Sequence, residues 1–184
     1  MVNTTVSTAR WLESQSALTK VAAVLFGSLL LTAGSYITIP MVPVPITMQT
    51  FAVMVVGAVF GWRLGGLTVA FWLLQGAMGF PVFAPGAAAG IARFFGPTAG
   101  YLFAFPIAAM LTGWMVQKGF TGFAKGFAAM LAGNLLVLAI GGLWLAAMLG
   151  IEKGLALGVT PFIAGAFTKS VLGAAVLLAV TRRR

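Results

Sequence analysis

The chain has 184 residues, of which 61% are hydrophobic and 7% are charged, and its mean hydropathy is +1.08. Soluble domains carry about 25% charged residues, so the composition excludes an ordinary soluble fold and indicates a membrane protein. The formal net charge of +9 does not indicate a nucleic-acid surface, because the basic residues are dispersed along an apolar chain. Without Cys, the chain has no disulfide, thiol nucleophile or thiolate metal site.

Six apolar segments divide the chain. Because a membrane-crossing helix needs about 20 residues, we predict an all-α, polytopic membrane protein with a six-transmembrane-helix bundle as its single domain over 1–184. We expect a cytoplasmic N-terminal tail over 1–20, without a cleaved signal peptide, and a basic C-terminal tail over 181–184. The segments cover 21–38, 47–62, 66–80, 98–117, 126–147 and 161–180.

The basic residues predict the orientation in the membrane. Eight of the 11 Lys and Arg residues lie in the two tails and at alternate junctions between segments. Positive residues collect on the cytoplasmic side, so we expect both termini to be cytoplasmic. The loops around 40–46 and 81–97 are then expected outside. The eight residues are Arg10, Lys20, Arg63, Lys118, Lys125, Arg182, Arg183 and Arg184.

The first segment contains Ala23 and Gly27, two small residues four positions apart. Such pairs let helix backbones approach closely. The approaching helix belongs either to this chain or to a partner protein. Gln75 and Asn134, which lie within apolar segments, are expected to form hydrogen bonds between helices.

Prolines interrupt the chain between the first two segments, at Pro40, Pro43 and Pro45. Each lacks an amide donor and disfavours helix in the residue before it. Irregular backbone at membrane depth is tolerated where it packs on protein or lines a cavity. We therefore consider two interpretations: a tight apolar hairpin, or a loop that forms the wall of a binding pocket with Thr47 and Gln49 directed inward.

A second irregular stretch covers 80–98 and is long compared with the usual 4–6 residues of a connection. Loops of this length are often lids or binding elements. Arg93 is its only charged residue. The side chain either extends to the membrane interface or contacts a ligand. Gly96 and Gly100, at the start of the fourth segment, would permit close helix approach.

Lys169 lies inside the last segment. A helix that begins near Pro161 places it about 12 Å along the helix axis, where a Lys costs roughly 2.5–3.5 kcal/mol on insertion scales. The only carboxylates, Glu13 and Glu152, lie outside the segments. Either Lys169 extends to the outer interface, or it is a cation without a protein partner that meets a ligand.

The sequence lacks the residues that most chemistry requires. It contains no phosphate-binding loop of the type Gly-x-x-x-x-Gly-Lys-Ser/Thr, no His and no Asp or Glu inside a segment. We therefore expect no ATP hydrolysis, no enzymatic activity, no cofactor and no metal site. What remains is a site that captures a solute.

Three stretches, 43–49, 96–102 and 161–169, together resemble the signature motifs of the BioY family. This resemblance implies a biotin-specific substrate-binding S component of an energy-coupling factor (ECF) transporter in the bacterial plasma (inner) membrane. It implies biotin capture from the outside and, as partners, a transmembrane coupling subunit and ABC-type ATPases. Ala23 and Gly27 would contact the coupling subunit.

The resemblance also implies a set of biotin contacts. It assigns Lys169 to the ring end of biotin, which leaves Arg93 for the carboxylate and Thr47 and Gln49 to close the pocket. Tyr101 lies in the middle motif and is a further candidate contact.

The chain departs from the family pattern in its last motif. Ala164 and Ala166 stand where the family usually has Pro and Asp. Loss of the Asp removes an acceptor for a ureido N–H. In the middle motif, Ala99 stands where Gly is usual.

Two other functional classes fit the composition. One is a self-sufficient secondary carrier or facilitator for biotin or another small organic anion. The other, a pore-forming or structural membrane protein, needs no coherent polar site and fits the motifs worst.

Overall fold

The computed structural model describes residues 9, 11, 12, 14–85 and 90–182, with the backbone alone at Arg182. Arg10, Glu13, Arg183, Arg184 and segment 86–89 of the long loop lie outside the described residues. The main elements are α1 (Ala17–Tyr36), β1 (Thr38–Ile39), β2 (Ile46–Thr47), α2 (Gln49–Ala77), α3 (Ala99–Gln117), α4 (Phe123–Leu149), α5 (Ile151–Gly158) and α6 (Ile163–Arg182). Short 3₁₀ helices cover Gly90–Phe95 and Thr160–Phe162.

The fold is almost entirely helical, as predicted. Five helical stretches within the described chain are long and apolar enough to cross a membrane: Ala17–Tyr36, Gln49–Ala77, Ala99–Gln117, Phe123–Leu149 and Ile151–Thr181. Large apolar side chains cover the outside of the helices. Phe26 and Leu143, for example, are 66% and 71% exposed. Soluble monomers rarely expose apolar surface on this scale, and a lipid bilayer accounts for it.

Helix α2 is interrupted at Gly61, where φ is +81° and ψ is 172°, and it reverses direction there. Such a positive φ favours glycine. A Cβ added at Gly65 would lie 2.8 Å from Gly57 Cα, whereas eight residues of a straight helix span about 12 Å. The two halves of α2 therefore pack against each other. The sequence predicted a junction between 62 and 66, and the structure places the turn at Gly61, with Arg63 already in the returning half.

Gly27 packs inside the chain. It is buried, and a Cβ at this position would lie 2.6 Å from Thr68 Cγ2 and 2.8 Å from Phe60 Cε2. The expectation that Gly27 faces a partner protein is therefore wrong, because α2 already occupies that surface. Ala23 is half-buried and remains a candidate for a partner contact.

Polar side chains connect the helices, as expected for Gln75 and Asn134. Ser28 in α1 donates to Gln75 in α2. Asn134 in α4 donates to Ser170 in α6 at 3.1 Å. Both predicted interhelical hydrogen bonds are thus present. The predicted close approach at Gly100 is also confirmed, since a Cβ there would meet the Trp144 side chain.

The proline-rich segment forms a small antiparallel hairpin. Thr38 pairs with Thr47 and Ile39 with Ile46, and the turn includes a cis Val42–Pro43 peptide bond. The first interpretation, a tight apolar hairpin between two helices, is therefore confirmed. The hairpin leads directly into α2 at Gln49.

The packing of Gly27 generates a prediction about stability. Gly27→Leu should destabilise the isolated protein by about 1–3 kcal/mol, because the larger side chain overpacks the contact with α2. Ala22→Leu, on the exposed face of the same helix, is the matched control and should change little. Thermal unfolding in detergent measures both, and equal midpoints for the two variants would contradict the internal packing of Gly27.

Candidate ligand-binding site

A narrow cavity of about 50 Å³ lies where the hairpin meets helices α2, α3, α4 and α6. Its lining brings together all five candidate residues from the sequence: Thr47, Gln49, Arg93, Tyr101 and Lys169. Much of the remaining wall is apolar and consists of Val44, Leu102, Phe105, Val137, Leu138 and Phe162. Apolar walls with a few convergent polar groups are typical of small-molecule sites.

Lys169 bridges α6 to the hairpin. Its Nζ donates to the backbone carbonyl of Thr47 at 2.5 Å and to Thr50 Oγ1 at 3.2 Å. The hypothesis that Lys169 has no protein partner is therefore wrong. Both partners are neutral, however, so its charge is not compensated. An ammonium has three donors, and these two bonds leave one for a ligand.

Arg93 is held inside the protein by the 3₁₀ helix Gly90–Phe95 and is only 4% exposed. Its Nη1 donates to the carbonyl of Ala84 at 3.0 Å, and its Cζ lies 5.3 Å from the centre of the Phe83 ring. The interpretation of Arg93 as a residue that extends to the membrane interface does not fit this burial.

The guanidinium of Arg93 is incompletely bonded. Its Nε is fully enclosed and, alone among the buried side-chain nitrogens and oxygens of the described residues, has no hydrogen-bond partner. Burial lowers the pKa of the guanidinium, but Arg remains charged in proteins. A buried cation without a carboxylate partner is costly, and an anionic ligand would offset that cost.

Thr47 and Gln49 fix the corner between the hairpin and α2. Thr47 Oγ1 accepts from the backbone N–H of Gln49 at 3.2 Å, and Gln49 Nε2 donates to Ser35 Oγ at 2.9 Å. Val44, Pro45 and Thr47 line the cavity. The two interpretations of the proline-rich segment therefore describe one element, since the apolar hairpin is also a wall of the cavity.

Tyr101 contributes its ring to the cavity wall. Its hydroxyl donates to the carbonyl of Gly158 at 2.6 Å, and its ring centre lies 6.2 Å from that of Phe162. The hydroxyl proton is thus used in a bond to the end of α5.

Asn134 is a lining residue that the sequence assigned to helix packing alone. It is 3% exposed and lines the cavity while it donates to Ser170. Nothing in the sequence relates the middle of α4 to the hairpin. The only sequence feature that could have marked Asn134 as a lining residue is a polar side chain within an apolar segment. Thr50 and Thr98 also line the cavity and were not predicted.

A wider cavity of about 570 Å³ lies next to the narrow one and is lined by the hairpin turn and the second half of the long loop. The two cavities share Pro45, Arg93 and Thr98. Arg93 therefore stands between the wide and the narrow cavity.

The charges around the narrow cavity have one sign. Lys169 and Arg93 line it, and no carboxylate does so among the described residues. Two cations near low-dielectric walls create a positive potential that favours anions. The cavity is therefore suited to a small, largely apolar molecule that carries a negative charge.

Comparisons with known proteins agree with the fold and the motifs. The sequence model of the BioY family matches residues 5–184. A Pyrococcus horikoshii protein named "Probable biotin transporter BioY" is 41% identical over 134 residues, which are 73% of this chain and 78% of that protein. The "Biotin transporter BioY" of Thermotoga maritima is 37% identical over 150 residues, which are 81% and 88% of the two chains.

A solved structure has the same fold. The crystal structure of the S-component for biotin from an ECF-type ABC transporter superposes with a TM-score of 0.76 and covers 93% of this chain and 96% of its own, at 24% identity. The apolar helices and the family match together make this chain a multi-pass membrane protein. The family match over nearly the whole length confirms the resemblance of the three motifs, and the chain belongs to the BioY family.

Proposed function

We propose that this chain is the biotin-binding membrane subunit, or S component, of a vitamin uptake transporter. It captures biotin from the outside, and partner subunits drive its import with ATP. The observation that carries the proposal is the cavity lined by Lys169 and Arg93 without a carboxylate, in a chain 37% identical to a biotin transporter. Binding and release of a solute need no chemical step, in keeping with a protein that is not an enzyme.

The polarity of biotin matches the positions of the two cations. Biotin has a carboxylate at one end and a bicyclic ring with a ureido group at the other. Arg93, between the two cavities, meets the carboxylate nearer the outer surface. Lys169, held by Thr47 and Thr50, donates its third N–H to the ureido carbonyl. The ring of Tyr101 and its apolar neighbours cover the remainder of the ligand.

The volumes of the two cavities limit how biotin can fit into the site. Pockets for small molecules usually measure about 300–1,000 Å³, so the narrow cavity of about 50 Å³ is too small for the whole ligand. The carboxylate end extends past Arg93 into the wider cavity, or the hairpin moves away from α6. Either way, ligand entry acts on the bonds between Lys169 and the hairpin.

The transporter requires partner subunits. The chain has no phosphate-binding loop, so ATP hydrolysis belongs to separate ABC-type ATPases and a transmembrane coupling subunit transmits it. Helix α1 exposes Leu25, Phe26 and Leu29 on one face, next to the half-buried Ala23. We assign this face to the coupling subunit.

The reversal at Gly61 supports a six-helix bundle. The two halves of α2 count as separate crossings, and with α1, α3, α4 and α6 they make six. The excess of Lys and Arg at alternate junctions supports cytoplasmic termini in the bacterial inner membrane. The cavity and the hairpin then face the outside.

Removal of the Lys169 charge tests the binding site. Lys169→Met should weaken biotin binding roughly 10- to 100-fold, because a charge-assisted hydrogen bond contributes about 1.5–3 kcal/mol. Lys125→Met, an exposed Lys at the start of α4, is the control and should bind like the wild type. Equilibrium binding of labelled biotin to the purified proteins measures both, with thermal unfolding to verify folding. Unchanged affinity in Lys169→Met would exclude the proposed contact.

The orientation can be tested by cysteine labelling, because the chain has no Cys of its own. An impermeant maleimide added to intact cells should label Ala92→Cys in the long loop and not Phe120→Cys between α3 and α4. Both native residues are exposed, so accessibility is matched. The reverse pattern would place the cavity on the cytoplasmic side.

The partner surface can be separated from the binding site. Ala23→Trp should abolish biotin uptake in cells that contain the ATPase and coupling subunits, because the bulky ring obstructs assembly. Binding by the isolated variant should remain close to that of the wild type. A parallel loss of binding would assign Ala23 to internal packing, and wild-type uptake without partner subunits would favour the self-sufficient carrier.

A further inference from the structure

We propose that Gln49 and Asn134 form a pair of serine-bonded amides whose free oxygens accept hydrogen bonds from the two N–H groups of the ligand's ureido ring. The proposal rests on the proposed biotin function and adds how the site selects its ligand. Both side chains line the narrow cavity, and they are 6% and 3% exposed.

The two amides have the same arrangement on different helices. Gln49 Nε2 donates to Ser35 Oγ at 2.9 Å, and Ser35 Oγ donates to the carbonyl of Leu31 at 2.9 Å. Likewise Asn134 Nδ2 donates to Ser170 Oγ at 3.1 Å, and Ser170 Oγ donates to the carbonyl of Ala166 at 2.7 Å. Each serine is 0% exposed.

These chains of bonds fix which way each amide points. A backbone carbonyl can only accept, so each serine hydroxyl must spend its proton on Leu31 or Ala166. The serine oxygen is then an acceptor, and only the nitrogen of the amide can meet it. Asn134 Nδ2 also donates to the carbonyl of Met130 at 3.0 Å, which excludes the flipped amide independently.

The amide oxygens are left free. Within the described chain, no residue donates a hydrogen bond to Gln49 Oε1 or Asn134 Oδ1, and neither atom is among the fully enclosed, unpartnered ones. Both oxygens are therefore accessible from the cavity that their side chains line. Each oxygen is thus an acceptor without a protein donor that a ligand N–H can reach from the cavity.

The remaining polar groups complement this pair. Lys169 and Arg93 offer only donors to the cavity, and they suit a carbonyl and a carboxylate. A cyclic urea presents one carbonyl between two N–H groups, which requires one donor and two acceptors at the ring end. Lys169 supplies the donor, and Gln49 and Asn134 supply the acceptors.

The test compares biotin with its two mono-N-methylated ureido derivatives in equilibrium binding to the purified full-length protein. In the wild type, each N-methyl group should weaken binding about tenfold or more, because it removes one donor. Asn134→Leu should weaken biotin binding to a similar extent and abolish the penalty of one derivative. Gln49→Met should abolish the penalty of the other.

The serines provide a second readout. Among the described residues Gln49 Nε2 donates to Ser35 Oγ alone, so Ser35→Ala frees the Gln49 amide to rotate and should reduce the penalty of the same derivative as Gln49→Met, whereas Ser35→Thr keeps the hydroxyl and should preserve it. Thermal unfolding verifies that every variant is folded.

If Asn134→Leu and Gln49→Met weaken the binding of biotin and of both derivatives equally, the amides are structural and the inference is overturned. Unchanged biotin binding in both amide variants would overturn it as well. Wild-type protein that binds no biotin at all would instead overturn the proposed function, and this inference with it.

Discussion

The ammonium of Lys169 is a charge inside an apolar bundle, and neutral oxygens of another element hold it in place. Thr47 in the hairpin and Thr50 at the start of α2 accept from it across the gap to α6. No carboxylate lines the cavity among the described residues. Ala166 lies one turn before Lys169 on the same face of α6, and its small side chain cannot pair with the ammonium. The ammonium is therefore held in a fixed position with one N–H left for an oxygen of a ligand.

Close helix packing makes such a site possible. Glycines let the two halves of α2 and helix α3 approach so closely that a Cβ at Gly57, Gly65 or Gly113 would meet backbone atoms. The short distances keep lipid out of the interior and hold the serine and amide side chains in one arrangement. The same packing that assigns Gly27 to the interior of the chain thereby supports the bonds around Ser28, Thr32 and Ser35.

The burial of Arg93 illustrates how far a loop contributes to the site. A 3₁₀ helix of six residues and the carbonyl of Ala84 direct its guanidinium between the two cavities, and Phe83 covers one face of it. No membrane-crossing helix supplies this charge. A ligand that meets Arg93 therefore contacts a loop as well as the helices of the bundle.

The sequence by itself determined the class of fold, the approximate helices and the family. Apolar segments separated by Gly, Pro and basic residues predict membrane helices because the hydrocarbon thickness sets their length. The three motifs around Gln49, Tyr101 and Lys169 locate the cavity, since all three residues line it. Only the tertiary structure decided which contacts these residues make. The internal packing of Gly27, the neutral partners of Lys169 and the cavity position of Asn134 all depend on residues distant in sequence, whose proximity no local pattern encodes.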